Sequence, residues 1–218
     1  MSSFVLIHGA GDSGWYWHLV AAELRRRGHD VLAPDLPAGD DALDLNDYAA
    51  AVIAAVGDRT DPVVVGHSYG AFTATLVAAR LPANLLVLVA GMVPAPGETP
   101  DEWWAATGYR SSGLDDDYEL YYHDVPRDLA AEAMRRGLEH PSAAAGAMAW
   151  PLPHWPAVTT KFVLCTEDRV FPADFLRGVV ADRLGITPDE ITGSHCVALA
   201  RPAELADLFE RYLDEVRG

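Results

Sequence analysis

Short apolar runs alternating with longer segments of helical period restrict this chain more than any other feature of its sequence. Phe4-Val5-Leu6-Ile7, Val63-Val64-Val65 and Leu85–Val89 are apolar at every position and too short to be helices. That is how strands read when both faces of a parallel sheet are covered. Parallel neighbours need crossover connections, and the helical segments between the runs supply them. A chain of 218 residues can bury one substantial core of this kind as a single domain. The expectation is α/β: a doubly wound, mostly parallel six-stranded sheet.

Strands are predicted at Phe4–Ile7, Val31–Ala33, Val63–Val65, Leu85–Val89, Lys161–Cys165 and Glu190–Thr192. Helices are predicted over about Trp15–Arg27, Asn46–Val56, Ala71–Arg80, Ala173–Arg183 and Glu204–Val216, with Asp12 or Ser13 available to cap the first. The rhythm breaks between Pro94 and Pro156, a stretch with eight prolines and the indoles of Trp103, Trp104, Trp150 and Trp155. A featureless loop of that length does not suit a compact domain. Residues 94–156 are therefore expected to form a helical cap inserted after the fourth strand, with residues 1–93 and 157–218 as the core.

A formal net charge of −16 argues against nucleic acid or an anionic membrane as partner. No apolar stretch has the roughly 18 residues of a membrane span. A strand is predicted to begin at Phe4, so no signal peptide is expected. Two cysteines, Cys165 and Cys196, make no disulfide framework, so a cytoplasmic location is expected. No His/Cys cluster has metal-ligand spacing and no dinucleotide fingerprint follows a strand, so neither metal nor cofactor is expected.

Gly66-His67-Ser68-Tyr69-Gly70 lies between a predicted strand and a predicted helix. Gly-x-Ser-x-Gly at such a junction is the nucleophile elbow, a strained turn that thrusts the serine hydroxyl out of the sheet. Side chains two residues either side of the serine would collide with the turn, hence the glycines. The five-residue pattern alone arises by chance in about one chain in ten or twenty of this length; its strand and helix make it specific. Acyl transfer also needs fixed N–H donors where negative charge develops. The Tyr69 N–H is one candidate. The Ala10 N–H, in His8-Gly9-Ala10-Gly11 at the end of the first strand, is the other. The same loop lacks the Lys-Ser/Thr ending of a phosphate-binding loop, and His8 reads as structural.

A serine hydroxyl needs a base. Of eight histidines, His195 alone falls in a loop after the last strand, at the edge of the sheet where Ser68 emerges. The orienting acid should follow a strand between them in chain order. Asp168 is the expected residue and adjacent Glu167 the alternative, with Glu98 and Asp101 more remote. Asp35 reads as shaping its own turn. Cys196 has no elbow of its own and reads as a packing residue.

These motifs, with Gly14-Trp15, Gly28-His29-Asp30-Val31 and Asp168-Arg169-Val170-Phe171, resemble the α/β-hydrolase superfamily over the whole chain. The subgroup that looks closest holds plant hydroxynitrile lyases, plant methylesterases and small bacterial relatives. The resemblance implies a triad of Ser68, Asp168 and His195, with Ala10 and Tyr69 lining the oxyanion hole. It also implies that a lyase would carry threonine at position 9 and lysine at position 196. Gly9 and Cys196 stand there instead, which favours ester hydrolysis.

The expected activity is cleavage of a small, hydrophobic carboxylic ester through an acyl-enzyme, by a monomer or homodimer. Gly9, Trp103, Trp104, Trp150 and Trp155 are expected to line the substrate pocket, with apolar or aromatic ester groups preferred over charged ones. The alternatives are a small-molecule receptor that keeps a triad, or a lyase, carbon–carbon-cleaving or perhydrolase enzyme on the same site.

Overall fold

The computed structural model describes residues 1–138 and 141–217. Six strands form one sheet, parallel at every pairing: β1 (Ser3–Ile7), β2 (Asp30–Leu32), β3 (Val63–His67), β4 (Leu85–Val89), β5 (Thr160–Cys165) and β6 (Asp189–Ile191). Their order across the sheet is β2-β1-β3-β4-β5-β6. Side chains alternate along each strand, so each strand feeds two cores. Val5, Ile7, Val64, Leu86, Leu88, Phe162 and Leu164 pack on one face, and Phe4, Leu6, Val65, Val87, Val89 and Val163 on the other.

Helix α1 (His18–Arg26) closes the second face, α2 (Leu45–Val56) and α3 (Gly70–Arg80) the first. The first helix departs from expectation. A 3-10 turn over Gly14–Trp17 precedes it, and neither Ser13 nor Trp17 gives α1 a side-chain cap. Asp12 is left free of that duty. In contrast α2 has a full capping box. The Asp44 carboxylate accepts from the Asn46 and Asp47 amides, and the Asp47 carboxylate accepts from the Asp44 N–H at 2.9 Å, a device that stabilises a helix by about 1 kcal/mol.

Between β4 and β5 the described chain forms four short helices: α4 (Pro100–Ala106), α5 (Asp117–Tyr121), α6 (Arg127–Arg136) and α7 (Ala143–Ala147). Thr99 and Glu102 cap α4 reciprocally, with Pro100 at its first position. The Arg183 guanidinium ties the root of this excursion to the core. It donates to both Glu98 carboxylate oxygens at 2.6 and 2.7 Å and to the Val93 carbonyl. Helices α8 (Ala173–Leu184), α9 (Val197–Ala200) and α10 (Pro202–Arg217) complete the chain, α8 on the first face and α9 and α10 on the second. Among the described residues no helix is long and apolar enough to cross a membrane.

The sheet order dictates where a site can form. From β1 the chain moves outward to β2 and then returns across β1 to β3, so the connections diverge between β1 and β3. At such a switch point the strand ends leave a crevice at their carboxyl edge. The register there pairs Ile7 with Gly66, which sets the loop after β1 beside the turn after β3.

Candidate active site

Ser68 occupies that turn with φ of 50°, a left-handed conformation that non-glycine residues adopt at a cost of order 1–3 kcal/mol. Main-chain bonds over-determine it. The Ser68 N–H donates to the Val89 carbonyl at 3.1 Å, and its own carbonyl accepts from Ala71 and Met92. The flanking glycines are steric necessities. A Cβ on Gly66 would lie 2.6 Å from the Ala74 Cβ, and one on Gly70 would lie 2.2 Å from the His8 carbonyl oxygen.

His195 is buried, and its Nδ1 lies 2.7 Å from Asp168 Oδ2. A carboxylate only accepts, so Nδ1 carries the proton and Nε2 is left as the basic nitrogen. The other Asp168 oxygen accepts from the amides of Val170 and Phe171 at 2.7 and 2.9 Å, which fixes the carboxylate's orientation. Glu167 is exposed and meets its neighbours through its backbone. Glu98 is engaged by Arg183, and Asp101 packs against Gly146 of α7. Of the four candidate acids, Asp168 is the one held against His195.

Two further groups hold the histidine loop. His67, stacked on Tyr16 at 4.5 Å, lies 3.0 Å from the His195 carbonyl through Nε2, which donates to it. Burial drives its pKa far down, so it stays neutral. The stretch 119–124 bridges the loops of Asp168 and His195. The Glu119 and Tyr121 carbonyls accept from Arg169 and the Cys196 N–H, His123 Nε2 donates to the Glu167 carbonyl, and Asp124 Oδ2 accepts from the Ser194 N–H. His8 is structural, as expected: Nδ1 donates to the Gly9 carbonyl and Nε2 accepts from the Leu36 N–H. Asp35 accepts from the Gly14 N–H at 2.7 Å, which ties the segment after β2 to the start of the 3-10 turn.

A cavity of about 450 Å³ opens over these groups. Ser68, His195, Ala10 and Tyr69 line it, with Met92, Val170 and Phe171 from the core and Trp104, Tyr121, Met134 and Leu138 from the excursion. The expectation for the tryptophans is corrected at three positions. Trp103 is fully buried and donates from Nε1 to the Val93 carbonyl. Trp150 packs on Phe72 at 5.9 Å, and Trp155 donates to the Thr160 hydroxyl. Only Trp104, 38% exposed, faces the cavity. Gly9 is also outside its lining, because the His67 ring and Ser68 Cβ crowd its Cα side. Cys196 does line it, yet burial pushes its thiol well above the ordinary range, so it offers no thiolate.

Sequence reading missed Asp12, Val170, Phe171 and the 119–124 stretch as parts of this site. Val170 and Phe171 stand inside the Asp168-Arg169-Val170-Phe171 motif and Asp12 two residues after Ala10, a signal that position in the chain could have supplied.

A model described as "Alpha/beta hydrolase family" matches residues 4–208. The chain belongs to this family. Methylesterase 7 of Arabidopsis thaliana is 26% identical over 250 residues, covering 97% of this chain and 96% of the relative. Salicylic acid-binding protein 2 of Nicotiana tabacum is 27% identical over 252 residues, covering 95% of each. These relatives agree with the plant methylesterase resemblance read from the motifs. Among solved structures, polyneuridine aldehyde esterase superposes with a TM-score of 0.80 at 20% identity, covering 97% of this chain and 99% of that one. This likeness bears on the α/β-hydrolase fold.

Proposed function

We propose that this α/β hydrolase is a serine esterase acting on small, largely apolar carboxylic esters. One observation carries the reading: a strained Ser68 opens into the same cavity as His195, whose Nδ1 is held 2.7 Å from Asp168. The methylesterase and esterase names among its relatives support it.

In this mechanism Ser68 Oγ attacks the acyl carbon as His195 Nε2 takes its proton. The Asp168 carboxylate orients the imidazole and stabilises the imidazolium that forms. The Ala10 and Tyr69 N–H groups donate to the oxyanion. His195 then protonates the leaving alcohol, and activates the water that releases the acid. Each step uses side chains, backbone amides and water.

Lyase chemistry has less support. Gly9 presents no hydroxyl, and at position 196 a neutral buried thiol stands where a cation would meet a leaving anion. Purified protein should therefore hydrolyse short aryl esters and release no cyanide from mandelonitrile above background. Cyanide release without ester cleavage would overturn the assignment, as would saturable ligand binding with no turnover of any ester.

Residues 94–156 act in this reading as the cap that sets specificity. Burying an aromatic ester arm against Trp104 and Phe171 removes apolar surface worth roughly 25 cal/mol per Å². Losing an indole contact should cost on the order of 1–2 kcal/mol, about tenfold in kcat/KM. Trp104→Ala is expected to impose that loss on aromatic esters and to spare acetates, reordering an ester panel. A uniform loss accompanied by a lower Tm would make Trp104 a packing residue.

A further inference from the structure

Asp12 is used by no step above, yet it lies in the wall of the catalytic cavity. Its side chain comes from the loop that carries Ala10, and the residue is 9% exposed. Among the described residues no hydrogen bond or ion pair reaches its carboxyl group. An aspartate nine-tenths buried whose carboxyl group has no partner among the described residues is rare, since taking a charge from water is costly unless something compensates.

The surroundings define what could compensate. Tyr16, Tyr122 and Cys196 are close enough to feel the Asp12 charge, and burial keeps each of them protonated and neutral. Among the described residues His195 is the neighbouring group able to become positive, and its Nδ1 is already held by Asp168. Arg136, at the end of α6, is turned to Glu132 and to the Trp15 ring. Among the described lining residues there is no lysine or arginine; the second acid is Asp117, exposed at the mouth. The rest of the wall includes the aromatic surfaces of Trp104, Tyr121 and Phe171, which suit a cation as well as a hydrocarbon.

We infer that Asp12 is a recognition site for a positively charged nitrogen, so that the cavity favours esters carrying an ammonium group and rejects those carrying a carboxylate. The inference rests on the esterase reading for the ester but not for the cation. It also changes the expectation that charged groups are disfavoured, for one sign of charge. Desolvation raises the Asp12 pKa to about 7, opposed by His195. Below about pH 7 the carboxyl group therefore keeps its proton, and a bound cation favours its ionised form.

The same ionisation fixes a dependence of stability on pH. The folded-state value of about 7 lies above the unfolded reference of about 3.9. The folded chain thus binds the extra proton in between, and stability falls as pH rises from about 4 through 7. Asp12→Asn should have a higher Tm than the wild type at pH 8, the difference closing towards pH 4. The residue then costs stability and is kept for binding.

Choline and 3,3-dimethylbutan-1-ol are near-isosteres differing in a quaternary nitrogen for a carbon, and calorimetry can compare them directly. In the wild type at pH 8.5 choline should bind about tenfold more tightly, the scale of one partly desolvated charge pair. The advantage should shrink at pH 5.5, where Asp12 is protonated. It should fall at least about fivefold in Asp12→Asn. Equal affinities in the wild type at pH 8.5, or an advantage that Asp12→Asn leaves within a factor of about two, would overturn the inference. Because the pH comparison needs only the wild type, the test survives a variant that fails to fold. The corresponding butyrate esters separate the two readings. If neither is hydrolysed while the Asp12-dependent binding persists, the esterase reading fails and the cation site stands. If both are hydrolysed at equal kcat/KM and choline has no advantage, the reverse holds.

Discussion

Ser68→Ala is expected to lower ester turnover by about four to six powers of ten, or roughly 5.5–8 kcal/mol of transition-state stabilisation. The size follows from losing the acyl-enzyme route altogether. The amides of Ala10 and Tyr69 would still polarise a bound carbonyl, and they account for the residual rate. The fold should be spared. The bonds that hold this turn run through the main chain, from the Ser68 N–H to Val89 and from Ala71 and Met92 to the Ser68 carbonyl. Alanine tolerates a φ of 50° about as well as serine does. Initial rates on an aryl butyrate, thermal melting and covalent labelling by a fluorophosphonate would together check this result. Labelling that persists in Ser68→Ala, or turnover within tenfold of the wild type, would place the nucleophile elsewhere.

The difference between what the sequence disclosed and what it concealed has a physical pattern. Strands buried on both faces are apolar at every residue, so β1, β3, β4 and much of β5 could be read within a residue or two of their ends. The elbow was legible because Gly66 and Gly70 answer to backbone collisions that leave little choice of residue. Short helices left weaker marks. Helix α9 has four residues, about one turn, too few for a period of 3.6 to register. Trp103 and Trp104 show the limit most clearly. Neighbours on a helix point about 100° apart, and that angle sends one indole into the core and the other to the cavity. Nothing in the string Trp-Trp says which way α4 is rotated. Asp12 misled for a related reason. An aspartate before a helical segment reads as a cap, but the 3-10 turn over Gly14–Trp17 intervenes and leaves its carboxyl group to the cavity.

The acid loop supplies the second large effect. Asp168→Asn should cost on the order of ten-thousandfold in kcat, whereas Glu167→Gln should change it less than about threefold. The two residues are adjacent in sequence and equivalent in charge, so only their placement distinguishes them. Asp168 is buried, with one oxygen 2.7 Å from His195 Nδ1 and the other accepting from Val170 and Phe171. An asparagine amide there can keep those two amide bonds with its carbonyl oxygen, which turns its NH₂ towards His195. Nδ1 must then accept instead of donate, and the proton moves to Nε2, the nitrogen that has to receive the serine proton. The imidazolium formed during attack also loses its adjacent negative charge. The loss should therefore appear in kcat with KM nearly unchanged, because the ester's own contacts remain. Glu167 is exposed, so removing its charge alters only a solvent-screened field. Rate measurements on both variants, with circular dichroism to confirm folding, decide between the residues. A large loss in Glu167→Gln with Asp168→Asn nearly silent would assign the orienting acid one residue earlier and refute the geometry of this loop.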